Sequence, residues 1–184
     1  EQYFKRNELS QEIVKGNPRV KSASIQLKNV NTLQIKVSEF ETIGYVEKSG
    51  KQYEVLSNGK FLEQETTDKI EGLPLLINFD EGENLTEFIS AYEQMSDDIK
   101  GKIENIESLA TKTNPFRIQF KMKDGNEVIG LSTTIADKMA FYDKIVAEMK
   151  TQGIIDMEAG TSGVFSAPFK TEESSEIELS LIHI

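Results

Sequence analysis

The chain has 184 residues, a net charge of −10, a pI near 4.8 and no cysteine. Its length suffices to bury about 70% of the unfolded surface, so a real core is expected. Thiol nucleophiles, cysteine zinc sites and disulfides are excluded, and an acidic chain with only Arg6, Arg19 and Arg117 as arginines lacks the basic stripe that nucleic acid requires.

Residues Glu8 to Lys15 predict a helix: Leu9 and Ile13 lie four apart, and Gly16-Asn17-Pro18 stops it. A hairpin follows. Ala23, Ile25 and Leu27 alternate with Ser22, Ser24 and Gln26, and Leu33, Ile35 and Val37 alternate with Gln34, Lys36 and Ser38. A period of two means a half-buried antiparallel pair. Strand-like pattern continues from Ile43 through Gly44-Tyr45-Val46, Ser49-Gly50, Tyr53-Glu54-Val55-Leu56, the Asn58-Gly59 turn and Phe61-Leu62. Gln64 to Gly72 is polar and predicts a loop, and Leu73 to Ile77 predicts a short buried strand.

Asn84 is suited to cap a helix, with Glu87 three residues on and Leu85, Phe88, Ile89, Tyr92 and Met95 as its apolar stripe. Ile103, Ile106 and Leu109 fit a strand or a loop. Phe116, Ile118, Phe120 and Met122 alternate, Asp124-Gly125 turns, and Glu127 to Leu131 returns. Thr133 to Lys150 predicts one long helix with Ile135, Met139, Tyr142, Val146 and Met149 on a face. Ile154 to Met157 and Gly163 to Ala167 predict two last strands around Gly160-Thr161-Ser162. Antiparallel strands with segregated helices mean an α+β fold. Residues Lys170 to Glu178 are acidic and serine-rich, as in a disordered tail.

Sites of chemistry are scarce. His183 is the only histidine and lies at the very end, which leaves no Ser-His-Asp arrangement or histidine metal site. Asp97-Asp98 reads as a helix start after Ser96. Asp80, Glu81 and Glu83 read as an acidic turn, since EF-hand spacing is absent. No phosphate-binding glycine loop occurs. Arg117, Lys121 and Lys123 read as a solvated strand face, and Met139 with Met149 as core. A glycan hydrolase needs two placed carboxylates, and Glu104 with Glu107 has no supporting context. This pattern favours a binding protein over an enzyme, with no cofactor. The sheet's last strand is a candidate edge for strand addition, with Gly160 to Ser166 as the segment and Val164 or Phe165 as anchor. An ordinary hairpin with Phe165 facing the core fits the same residues.

The hairpin has a recognisable signature: Asn17, Pro18, Val20, Lys21, Ser22, Ala23 and Ile25, then Thr32, Leu33, Ile35, Val37 and Glu39. It resembles the last hairpin of a POTRA module in the cell-division family FtsQ/DivIB. Two positions depart from that pattern: Val30 or Asn31 stands where the turn usually has proline, and Thr42 where proline follows the glutamate. Tyr53 to Lys60, Gly72 to Leu76 and Met139 to Pro168 resemble the family's following β domain, and the shared order carries the likeness from Leu9 to Phe169. Related POTRA modules occur in secretion and outer-membrane assembly proteins. That alternative predicts tandem repeats and a β-barrel, neither of which is evident.

The resemblance implies a truncated POTRA module over residues 1–42, a curved antiparallel β-sheet domain with packed helices over 43–169, and an acidic tail over 170–184. It implies a fragment of a single-pass membrane protein, anchored by an upstream helix, with this part outside the cell at the division septum. The implied role is a non-enzymatic divisome scaffold. It would bind the ectodomains of the bitopic proteins FtsL and FtsB/DivIC and help regulate septal peptidoglycan synthesis. Carried onto this chain, the partner-binding positions are Ile155, Met157, Ser162, Gly163, Val164, Phe165 and Ser166, with Phe165 the aromatic anchor. The final Leu179-Ser180-Leu181-Ile182-His183-Ile184 resembles the translation of a transposon end sequence used in preparing short-read libraries; a short apolar strand is the other reading. These six residues are left out of the expected fold.

Overall fold

A computed structural model describes residues 2–159, 163–169 and 179–184. Helix α1 spans Gln2–Gly16, longer than its apolar spacing predicts. Strands β1 (Val20–Asn29) and β2 (Thr32–Glu39) form a two-stranded sheet of their own. The pairing sets Ala23 against Val37, Ile25 against Ile35 and Leu27 against Leu33, so the alternating apolar residues share one face. Helix α1 packs beside β1, yet Leu27, Leu33, Ile35 and Val37 stay about half exposed.

The other strands are β3 (Thr42–Lys48), β4 (Lys51–Leu56), β5 (Phe61–Glu65), β6 (Leu75–Ile77), β7 (Ile103–Ser108), β8 (Arg117–Met122), β9 (Glu127–Leu131), β10 (Gly153–Asp156), β11 (Gly163–Pro168) and β12 (Ser180–His183). They build a ten-stranded sheet in the order β12-β11-β10-β9-β8-β7-β6-β3-β4-β5. The β3–β4 connection is tight because Ser49 and Gly50 both have positive φ, 52° and 75°, as the favoured two-residue hairpin turns demand.

Most neighbours are antiparallel, as the sequence predicts, but β3–β6, β6–β7 and β9–β10 run parallel. Parallel neighbours need a crossover, and helices supply it twice. Helices α2 (Glu83–Gln94) and α3 (Asp97–Gly101) connect β6 to β7; α4 (Ile135–Met139) and α5 (Tyr142–Glu148) connect β9 to β10. Period-two patterning reports which face a residue takes and is silent on strand direction.

The helices meet the core face of the sheet. Ile103, Ile106, Ile118, Phe120, Met122, Val128, Ile155 and Val164 from the strands join Leu85, Phe88, Ile89 and Tyr92 of α2 and Ile135, Met139, Tyr142 and Ile145 of α4 and α5. Phe88 sits at the centre, with ring centroids 5.4 Å from Phe79, 5.6 Å from Tyr92 and 6.3 Å from Phe120.

Two helix predictions need correction. Asn84 does not cap α2: Gly82 holds the cap position, and its carbonyl accepts the Thr86 amide at 3.0 Å. The helix expected over 133–150 is broken at Ala140-Phe141, where the Phe141 amide bonds the Lys138 carbonyl at 3.0 Å, three residues back. Such a tightened turn uses fewer residues than an α-helical one. The second half is thereby rotated, and Ile145 takes the fully buried place expected of Val146. Ser96 does cap α3, accepting the Ile99 amide at 3.3 Å.

A buried polar network ties the helix pair to the sheet. Asn126 is 2% exposed. Its side-chain oxygen accepts the Gly153 amide at 2.9 Å, and its nitrogen donates to Asp124 at 3.1 Å and to the Tyr142 hydroxyl at 3.4 Å. Tyr142 in turn donates to Asp124 at 2.6 Å. Gly153 itself sits so close to β11 that a Cβ there would lie 2.0 Å from the Ala167 carbonyl oxygen.

The six residues left out of the expected fold are placed. Strand β12 pairs antiparallel with β11, and Ile182 is 3% exposed. Lys170 to Glu178 lie outside the described residues.

The hairpin and the large sheet are joined at Phe40-Glu41. Arg19 reaches across, donating to Thr42 Oγ1 at 3.1 Å and forming an ion pair with Glu54. Thr42 donates to the same carboxylate at 2.9 Å.

Three outcomes are expected. Amides of β1 and β2 exchange at least about tenfold faster than those of β8, because a two-stranded sheet is marginal alone; protection equal to β8 would contradict this. Asn126→Ala lowers stability by about 1–3 kcal/mol in urea melts, since it strands the buried Gly153 amide. Burial first, then the bond to Asp124, pushes the Tyr142 hydroxyl above the ordinary tyrosine value. A raised pKa means that Tyr142 stabilises the fold fully below about pH 10 and less as pH rises further. Alkaline unfolding of Tyr142→Phe should therefore be less steep than that of the parent chain.

Candidate functional site

The sequence-predicted positions converge on β10 and β11. The two strands pair antiparallel, Ile155 opposite Ser166 and Asp156 opposite Phe165. Period-two alternation then sorts the side chains. Ile155, Met157 and Val164 have no exposed surface, and Ser166 is 7% exposed; all four turn toward the helices. Phe165 points to the open face of the sheet and is 39% exposed. Ser162 lies outside the described residues, and Gly163 begins β11. Of these positions, Phe165 is the one whose described side chain reaches solvent to a large extent. The buried ones set the strand's place and twist, leaving Phe165 for outward contact.

Phe165 has apolar company. Across the next pair stands Leu181, 52% exposed, and half-buried Ile154 and Ala167 share the face. Phe169 follows β11 and is 36% exposed. An aromatic with exposed neighbours at a sheet margin suits capture of another chain.

Two residues that sequence reasoning missed hold the β10–β11 connection. Lys138 on α4 is 8% exposed, and its ammonium donates to the Met157 carbonyl at 2.6 Å and the Ala159 carbonyl at 3.3 Å. A buried cation on carbonyl oxygens fixes where the chain leaves β10. Arg117, expected as a solvated face residue, instead pairs with Glu158 at 2.7 Å. Asp156 accepts the Glu158 amide at 2.8 Å. Lys138 carries no sequence signal, because a lysine beside Asp137 in a helix reads as surface.

Three further acidic residues, Asp98, Asp143 and Glu81, are occupied structurally. Asp98 and Asp143 both bind Lys102, at 2.9 and 2.7 Å. Glu81 accepts the Phe61 amide at 2.8 Å. Among the described residues, no group of three or more His, Cys, Asp or Glu is placed to hold a metal ion. No helix among them is long and apolar enough to cross a membrane.

Comparison with known proteins gives the family. Residues 44–158 match the family model described as "Cell division protein FtsQ/DivIB, C-terminal". The chain is 34% identical over 172 residues to cell division protein DivIB of Enterococcus faecalis, covering 94% of this chain and 45% of that protein. It is 31% identical to DivIB of Lacticaseibacillus rhamnosus, with 94% and 59% covered. DivIB of Listeria monocytogenes is 32% identical, with 84% and 58% covered. The chain thus spans about half the length of the curated relatives it matches. Among solved structures, the major extracytoplasmic domain of DivIB from Geobacillus stearothermophilus superposes with a TM-score of 0.50 at 26% identity, over 60% of this chain and 93% of that one. With the family model matching more than half of its length, the chain belongs to the FtsQ/DivIB family of cell-division proteins.

Proposed function

We propose that this chain is the extracytoplasmic part of a membrane-anchored division protein, with residues 1–42 belonging to a POTRA module. It acts without catalysis, as a scaffold at the septum. Its β domain, residues 43–169, binds the ectodomains of FtsL-type and FtsB/DivIC-type bitopic proteins, and the resulting subcomplex helps regulate septal peptidoglycan synthesis. The binding positions are Ile155, Met157, Ser162, Gly163, Val164, Phe165 and Ser166.

One observation carries the reading: Phe165 stands exposed on the open face of the terminal strands, beside Leu181, while the buried residues of the same strands lock its position. A large aromatic on a rigid strand loses little freedom on binding and fills a partner's pocket well. Family membership adds that relatives of this chain are division proteins. The roles divide accordingly. Phe165 is the anchor, the terminal strands β11 and β12 carry it, and Lys138 and Arg117 are positioning residues for the segment that leaves β10.

Calorimetry with a co-expressed FtsL–DivIC ectodomain pair from a related Gram-positive bacterium tests this. The pair binds the parent chain, and Phe165→Asp weakens binding at least about tenfold, or 1.4 kcal/mol, with an unchanged circular dichroism spectrum. Binding that survives the substitution would move the interface elsewhere.

A further inference from the structure

The ten-stranded sheet is split between β3 and β6. The two strands run parallel, yet their register holds a single pair, Tyr45 with Leu75. Close approach pins them there: a Cβ on Gly44 would lie 2.3 Å from Leu76 Cδ1 and 2.7 Å from the Pro74 carbonyl oxygen. Beyond this point the strands part. Asn78 takes φ 59°, a left-handed turn that ends β6 and sends Phe79 into the core, 5.4 Å from Phe88. Strand β3 runs on past Tyr45 to Lys48. The Tyr45 amide bonds the Pro74 carbonyl at 3.0 Å and so points toward β6. By strand alternation Glu47 offers its amide and carbonyl to the same side, where no strand registers with it.

The parting leaves a groove of about 680 Å³. Buried Val46, Leu76 and Phe79 give it an apolar floor, and exposed Glu47, Lys48 and Asp80 complete its lining. A second groove of about 500 Å³ shares Asn78, Phe79 and Asp80 and continues past Glu83. The free charge here has one sign. Among the described residues, the side chains of Glu47, Asp80 and Glu83 have no hydrogen bond or ion pair. The nearby cations are engaged: Lys48 lies 4.9 Å from the Phe61 ring centroid, and Lys60 pairs with Glu81 at 3.5 Å. Among the described residues, no three carboxylates gather round one ion. Carboxylates spaced along a groove match cations spaced along a chain.

We propose that the cleft between β3 and β6 is a second docking surface, which takes an extended, lysine- or arginine-bearing segment of a partner protein. This goes beyond the reading of the terminal strands and stands apart from it, since β7, β8, β9 and β10 lie between the cleft and β11. Each feature of the cleft selects for part of the occupant. The backbone groups of Glu47 pair with an extended chain. The floor of Val46, Leu76 and Phe79 takes its aliphatic side chains, and the unpaired Glu47 and Asp80 meet its cations. Side chains of an extended segment alternate in direction, so aliphatic and basic residues at alternate positions satisfy floor and carboxylates together.

The test uses the full chain, isotope-labelled, with two end-blocked hexapeptides as probes. One alternates lysine with valine, the other glutamate with valine. Amide shifts and amide exchange locate the binding. The lysine peptide shifts the Glu47, Lys48, Asn78 and Asp80 amides and slows exchange at Glu47 at least about threefold. The glutamate peptide binds at least about tenfold more weakly. Glu47→Gln combined with Asp80→Asn, both at exposed positions, keeps the circular dichroism spectrum and weakens the lysine peptide by about three- to tenfold. Spermine, a polycation without a peptide backbone, leaves Glu47 exchange unchanged. Phe165→Asp binds the lysine peptide as the parent chain does. Absence of shifts at the cleft with millimolar lysine peptide, equal affinity for the two peptides, or a double variant that binds as the parent does overturns the proposal. Slowing of Glu47 exchange by spermine to the same extent overturns the extended chain as occupant. Loss of peptide binding in Phe165→Asp overturns the independence of this surface from the terminal strands.

Discussion

The larger unit depends on one constraint: its helices pack on a single face of a ten-stranded sheet. Burying one face is enough for stability when that face is dense, and here Ile103, Ile106, Phe120, Ile155 and Val164 meet Phe88, Met139, Tyr142 and Ile145 with almost no exposed surface. The other face and the two edges then fall to other devices. Over β3, the open face is covered by the loop after β5, where the Ile70 amide bonds the Tyr45 hydroxyl at 2.6 Å. Over β10 to β12 no such loop lies among the described residues, and Phe165 and Leu181 stand in solvent.

The two edges are treated differently. At one end β5 carries exposed Glu63, Gln64 and Glu65, charged and polar groups that discourage pairing with another chain. At the other end the edge strand is β12, where exposed Leu181 lies beside Phe165 of β11 and no carboxylate, lysine or arginine side chain stands along Ser180–His183. Charge guards β5 against the hazard of an unpaired edge, and β12 lacks that guard. The rigidity of β11 has its own sources: the carbonyl contacts of Lys138, the Arg117–Glu158 pair, and the Asn126 bond that seats Gly153 at the start of β10.

The amino-terminal unit answers to a different balance. Its hairpin has an apolar face with one helix beside it, too little for a core of its own. The Arg19–Thr42–Glu54 cluster gives it a defined attachment to β3 and β4. Partly exposed, that cluster orients more than it stabilises. The family relation extends across both units, since the relatives align over most of the chain.

Much of this was legible in the chain. Alternation marked β1, β2, β8 and β11, and Ser49-Gly50, Asn58-Gly59 and Asp124-Gly125 marked the β3–β4, β4–β5 and β8–β9 turns, because side-chain period and turn chemistry are local. The family likeness was legible for the same reason, carried by short motifs in a shared order. Strand direction, the break at Phe141, the burial of Lys138 and the exposure of Phe165 were not. Each depends on what a distant segment places beside the residue: β9 beside β10, Met157 beneath a lysine, β12 along an edge. By itself the sequence determined the elements, their faces and the family. Tertiary structure alone decided which side of β11 is buried and what lies against its backbone, because an edge is defined by the neighbour it has or lacks.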